Sequence, residues 1–156
     1  MNLYVDGQRR YVTLQARAVN LGSLAGGQTD ILSASEEVTI AVGSGADPVV
    51  ETTANLAPAD SIILGGTVKI TQAPGGGAAA LDVGISGGGN LDGMVDGMAV
   101  TLGTIAQIGH DGDGSDTYPS QNTTAAKLTL TTDADVTGTA MKALITVWYQ
   151  TFTAPA

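Results

Sequence analysis

The chain has 156 residues, 43% of them apolar and only 13% charged, against about 25% charged in an ordinary soluble domain. That length fits one domain, able to bury roughly two thirds of its unfolded surface. The formal charge is −9 with six Lys and Arg in all, which leaves no extended basic face for phosphates, so no direct nucleic-acid partner is expected.

Further exclusions follow. Cysteine is absent, so disulfides and thiolate metal sites are ruled out. No apolar run approaches the ~20 residues of a membrane-spanning helix. The first residues lack a basic stretch followed by an apolar one, so no secretory signal is expected and assembly in the bacterial cytoplasm is the expectation. So few charges imply either a surface of Ser, Thr and Gly or a large area hidden by partners.

In chain order, Leu3-Tyr4-Val5, Asp6-Gly7 and a run ending in Tyr11-Val12-Thr13-Leu14 predict a hairpin, since Asp-Gly suits a type I′ turn. Arg9, Arg10 and Arg17 make this segment basic and suited to contact an acidic partner. Residues 20–30 are Gly/Ser/Ala-rich and read as a loop. The expectation is therefore one domain over residues 1–156, with an N-terminal hairpin or arm at 1–30. Residues 37–42 alternate as a strand with Val38, Ile40 and Val42 on one face. The turn Gly43-Ser44-Gly45-Ala46-Asp47-Pro48 follows, then a short strand at 49–52.

Residues 61–71 are the organising strand. Ile62, Leu64, Val68 and Ile70 fall at every second position with Gly66 between them, predicting one apolar face. Ile63, Thr67, Lys69 and Thr71 take the other. Pro74-Gly75-Gly76-Gly77 ends the run. Residues 81–85 alternate again, 86–97 read as a loop, and 98–105 as a strand. From 107 to 124 no apolar period appears. Leu128 and Leu130 share one side of a strand at 126–131, residues 133–138 turn, and 140–152 form a long last strand. No window shows helical apolar spacing. About eight strands joined by Gly, Pro and Asp turns predict an all-β, antiparallel β-sandwich of jelly-roll type with little helix.

Three motifs bear on chemistry. Gly84-Ile85-Ser86-Gly87-Gly88 fits a nucleophile elbow, with Asp92, Asp96 and the single histidine, His110, following in hydrolase order. The elbow needs a helix after the serine, and Gly87 to Asn90 are too Gly-rich to start one, so no catalytic residue is assigned. Asp111, Asp113 and Asp116 form an acidic loop of hard oxygen ligands suited to Ca²⁺. Yet Asp116 stands where an EF-hand needs Gly, and Asn122 where it needs Glu, so a weak site at most is expected. No Gly precedes Lys-Ser or Lys-Thr, so the Gly clusters are turns rather than phosphate cradles. No cofactor and no enzyme activity are expected.

Two blocks carry a resemblance. Pro58-Ala59-Asp60-Ser61-Ile62-Ile63-Leu64-Gly65-Gly66-Thr67-Val68-Lys69-Ile70-Thr71-Gln72 is followed by Ala80-Leu81-Asp82-Val83-Gly84. Later come Lys127-Leu128-Thr129-Leu130-Thr131 and Met141-Lys142-Ala143-Leu144-Ile145-Thr146-Val147-Trp148-Tyr149. This order, over residues 58–152, resembles small β-sandwich structural proteins of tailed bacteriophages. The resemblance implies a capsid decoration (cement) protein on the virion surface, with the major capsid protein as partner and a homotrimer as the usual assembly. A fibre tip recognising a host glycan or protein is the alternative. Starting at Met1 with no shaft before it, the chain reads as a complete small protein, which favours decoration.

The last strand also predicts an oligomer. Met141, Ala143, Ile145, Val147 and Tyr149 supply a core face, while Leu144, Trp148 and Phe152 form an apolar row on the opposite one. Such a row is an interface candidate.

Overall fold

The computed structural model describes residues 30–45, 48–87, 91–109 and 119–151. Among them are eleven strands and no helix: β1 (Leu32–Ile40), β2 (Val49–Glu51), β3 (Ser61–Gln72), β4 (Gly76–Gly77), β5 (Ala80–Ile85), β6 (Val95–Ala99), β7 (Ile105–Ile108), β8 (Ser120–Asn122), β9 (Leu128–Thr132), β10 (Val136–Thr137) and β11 (Met141–Thr151). All pairings are antiparallel. Sheet A runs β1-β11-β3-β7, with β8 also on β3; sheet B runs β2-β9-β5-β6; β10 and β4 make a small third pair. The β-sandwich expected from the alternating runs is therefore present. The predicted N-terminal hairpin lies outside the described residues.

The two longest apolar-alternating runs, β3 and β11, pair with each other from Lys142 opposite Gln72 to Thr151 opposite Ser61. Their inner faces carry Val68, Ile70, Ala143, Ile145 and Val147, all fully buried. Sheet B answers with Leu81, Val83, Leu128 and Leu130, also fully buried. Each large aliphatic side chain so enclosed contributes about 1.5–3 kcal/mol. One core lies between the sheets.

The facing of β3 corrects the sequence expectation. The register shifts between Trp148 opposite Gly65 and Tyr149 opposite Ile63, so Leu64 is an extra residue on β3. This bulge reverses the alternation. Before it Ser61 and Ile63 point inward, and after it Gly66, Val68 and Ile70 do. Ile62 and Leu64 are half-buried and belong to the outer face. Simple period-two counting across 61–71 missed this, because a bulge adds one residue without any break in apolar character.

Three element boundaries differ too. Residues 100–104 are the turn between β6 and β7, with Gly103 at φ 85° and hydrogen bonds to both backbone groups of Ile70. They are not part of a 98–105 strand. β1 starts at Leu32 rather than Glu37, since Ser33 and Ser35 are the outer half of an alternation whose inner half begins with small Ala34. It ends at Ile40, leaving Val42 exposed. Within the stretch that lacks an apolar period, β8 pairs through Ser120, Gln121 and Asn122. Its polar side chains gave no apolar signal.

Gly66 stands opposite Val147 in the β3–β11 ladder. A Cβ there would collide with the Thr146 carbonyl oxygen and come within 2.9 Å of Ile108 Cδ1. The backbone oxygen cannot yield without breaking the ladder. Gly66→Ala should therefore cost roughly 2–4 kcal/mol of stability, read as a lowered urea midpoint. A midpoint equal to wild type would show that β3 relaxes freely there.

Candidate interaction surface

The outer face of sheet A is built by register. One row reads Glu37, Leu144, Lys69, Ile105 across β1, β11, β3 and β7. The next reads Ser35, Thr146, Thr67, Gln107, and a third sets Ser33, Trp148 and Gly65 side by side. Beyond the bulge, Gln150 faces Ile62, which faces Gln121 on β8. Because Gly65 has no side chain, nothing on the neighbouring strand position covers the indole. Trp148 is 42% exposed and Ile105 57%. Leu144, Ile62 and Leu64 are half-buried. Of the predicted row, Leu144 and Trp148 do share this face, and Phe152 lies outside the described residues.

Charge on this face is nearly balanced. Glu37 accepts a hydrogen bond from Thr71 Oγ1 at 2.9 Å and sits 3.5 Å from Lys142 Nζ. Lys69 is exposed beside Ile105 in register. The carboxylates gather elsewhere. Burial pushes the Asp82 carboxyl up; the Gly97 N–H opposes this, and Asp96, Asp92 and Asp133 add to the rise. Asp133 goes the other way, because its carboxylate accepts the N–H groups of Ala80 and Ala79 at 2.9 and 2.8 Å.

Other carboxylates are structural ties that sequence reasoning did not identify. Glu36 points inward from β1 and accepts from Thr53 N–H at 2.7 Å and Ala54 N–H at 2.9 Å, clamping sheet A to the segment after β2. Burial pushes its carboxyl up, but the Ala54 and Thr53 donors and nearby Lys127 outweigh this and hold it low. The hint was an acid within an otherwise inward-facing apolar alternation.

Ser86 opens the turn that follows β5 of an antiparallel sheet, and no helix follows it among the described residues. Its hydroxyl donates to Glu51, which also faces Lys127 at 3.9 Å. A carboxylate holding the hydroxyl, with a lysine beyond, is a surface network rather than an elbow with its base. The network borders an open cleft of about 500 Å³ that Asn55, Asn122 and Thr124 help to line. Asp92 and Asp96 are exposed. His110, Asp111, Asp113 and Asp116, like Arg9, Arg10 and Arg17, lie outside the described residues. Among those described, no group of three His, Cys, Asp or Glu is placed to hold a metal ion.

No protein-family model and no curated protein matches the sequence. Solved structures do match. A chain of the cyanophage Pam1 capsid asymmetric unit aligns with 89% of this chain and 100% of its own length, at TM-score 0.53 and 13% identity. A chain from the capsid of Ralstonia phage GP4 aligns with 82% of this chain and 87% of its own, at TM-score 0.49 and 14% identity. The Pam1 likeness is one of fold: the two chains share an all-β sandwich.

The two aspartates should respond oppositely to acid. Asp133, with a lowered pKa in the folded state, adds stability above about pH 4, the unfolded value, and that stability is lost as pH falls through the folded value. Asp82, with a raised pKa, weakens the fold at neutral pH, and protonation relieves it. Asp133→Ala should therefore lower Tm at pH 7, with the gap closing on acidification. Asp82→Asn, which keeps an acceptor for Gly97, should raise Tm at pH 7 but not in acid. Thermal melts from pH 2 to 8 followed by circular dichroism would check both, and pH-independent shifts would refute the assignment.

Proposed function

We propose that this chain is a structural protein of a tailed-bacteriophage virion that decorates the head shell. In this reading it binds the major capsid protein as a homo-oligomer, most simply a trimer, and its output is shell stability rather than turnover. The observation that carries the reading is the fold shared with the full length of a chain in the Pam1 capsid asymmetric unit. The strand-order resemblance to phage sandwich proteins over residues 58–152 supports it independently. The protein would work at the capsid surface after assembly in the bacterial cytoplasm.

The outer face of sheet A is the proposed oligomer contact. Leu144 and Trp148 supply apolar anchors of the type that concentrates at interface centres, and Phe152 would extend the row. Charge supports the choice, since this face pairs Glu37 with Lys142 and adds Lys69 in a chain of net charge −9. Leu144→Ser with Trp148→Ser should give a folded protein of lower mass by light scattering, with its β-sheet circular dichroism intact. An unchanged oligomer would place the contact elsewhere.

Shell binding has its own test. Purified protein added to undecorated heads of the same phage should raise their calorimetric melting temperature, because a ligand specific for the assembled shell stabilises it by mass action. Binding without a thermal shift, or no binding at all, would refute decoration and favour the fibre-tip reading.

A further inference from the structure

The cleft beside Ser86 is a surface that the function proposed above leaves unused. It encloses about 500 Å³, a volume within the range of small-ligand sites. Its walls are tied together by backbone bonds. Ala57 and Ala126 exchange N–H···O bonds at 3.1 and 2.8 Å, and Ser86 N–H donates to the Lys127 carbonyl at 2.9 Å. The segment leading into β9 is thus bonded both to the stretch after β2 and to the end of β5. The cleft is held in shape before any ligand arrives, which lowers the cost of binding.

Its polar groups are mixed donors and acceptors. Asn122 spends its amide hydrogens on the Ala57 carbonyl at 3.0 Å and the Pro58 carbonyl at 2.7 Å, which leaves Oδ1 to accept. Asn55 and Thr124 line the cleft as exposed side chains, each able to donate and to accept. Lys127 adds a donor. Its ammonium does not make an anion site, because Glu51 lies 3.9 Å away. The same ammonium opposes a metal ion, and no carboxylate is among the described residues of the lining. A wholly apolar ligand would bury these amide and hydroxyl groups without partners, at a cost for each. Ile85, Ala125 and Ala126 supply a smaller apolar part. Hydroxyl groups both donate and accept, so a compact ring that carries several of them matches the whole lining.

We propose that this cleft binds a neutral saccharide unit. The sugar hydroxyls take Asn55, Thr124, Asn122 Oδ1 and Lys127 Nζ as partners, and the carbon face of the ring takes the alanines and Ile85. A peptide is the less suited occupant. β5 and β9, whose ends border the cleft, are each paired on both sides in sheet B, so they offer no ladder edge to a second backbone. A single site of this kind binds weakly, but many copies on one shell would hold a polysaccharide surface by multivalency. The inference goes beyond the shell-binding reading and does not depend on it.

The test is titration of ¹⁵N-labelled protein, followed through its backbone amide shifts. Glucose, galactose, mannose, rhamnose and N-acetylglucosamine are the sugar probes. Glycerol, inorganic phosphate and a blocked alanine peptide are the comparison probes. At least one sugar should give saturable shifts at Asn55, Gly87, Thr124 and Lys127 together. Asn55→Ala with Thr124→Ala should weaken that sugar about tenfold or more, as the loss of one or two hydrogen bonds implies. Both side chains are exposed, so the double variant should keep its Tm and its β-sheet circular dichroism. No saturable shift with any sugar would overturn the assignment, as would undiminished sugar binding by the double variant. Equal shifts with glycerol would mark adventitious hydroxyl contact and overturn it too. Phosphate or the peptide saturating the cleft while the sugars do not would replace the ligand class. Shell binding and oligomer mass are separate measurements, so failure here would leave them standing, and the reverse.

Discussion

The pairing of β3 with β11 is the constraint on which the rest of the sandwich depends. These strands are distant in sequence, and each is flanked on its other side by further strands of sheet A. Among the described strands, β1 pairs with β11 alone, and β7 and β8 with β3 alone. Sheet A is thus assembled outward from one ladder. The inner residues of that ladder, from Val68 and Ile70 to Ala143 and Ile145, are fully buried, so pairing and core formation are one event. Loop closure between elements this far apart is slow and costly until such contacts form. The bulge at Leu64 then gives β3 its second property: it turns Ile62 and Leu64 outward and sends Ile63 into the core.

Carboxylates provide much of the remaining order. Glu36 holds β1 to the segment after β2, Asp133 holds the start of β5, and Asp135 accepts from Gly45 N–H at 3.0 Å. Each satisfies backbone donors in a turn or at a strand end, where the ladder leaves them unpaired. The acidity of this chain is therefore partly internal architecture. A sequence count treats all of these residues as surface charge.

Strand existence and the all-β class were legible because β3, β5 and β11 alternate over long stretches. The facing of β3 was not, since a bulge leaves composition unchanged while reversing phase. β9 shows a second limit. Leu128 and Leu130 do share a side, but the alternate residues Thr129 and Thr131 are also buried, with hydroxyls that find no hydrogen-bond partner among the described residues. Alternation reports polarity, and threonine is polar enough to look exposed while being small and branched enough to bury. The interface candidate was half legible: the apolar row on β11 could be read from spacing. The contributions of Ile62, Leu64 and Ile105 required the register. Glu36 was invisible, because its partners are backbone groups brought close only by the fold.

Electrostatics decides where copies of such a protein can meet. Two like unit charges 4 Å apart repel by about 1 kcal/mol in water and about 4 kcal/mol near a protein surface. A contact made through the neighbourhood of Asp82, Asp92, Asp96 and Asp133 would multiply that cost several times over. The raised pKa of Asp82 reflects partly the same crowding within a single copy. The outer face of sheet A avoids the problem, since Glu37 is matched by Lys142 and Lys69 stands one row position from Leu144. Apolar anchors set among nearly balanced charge gain from desolvation without a Coulomb penalty.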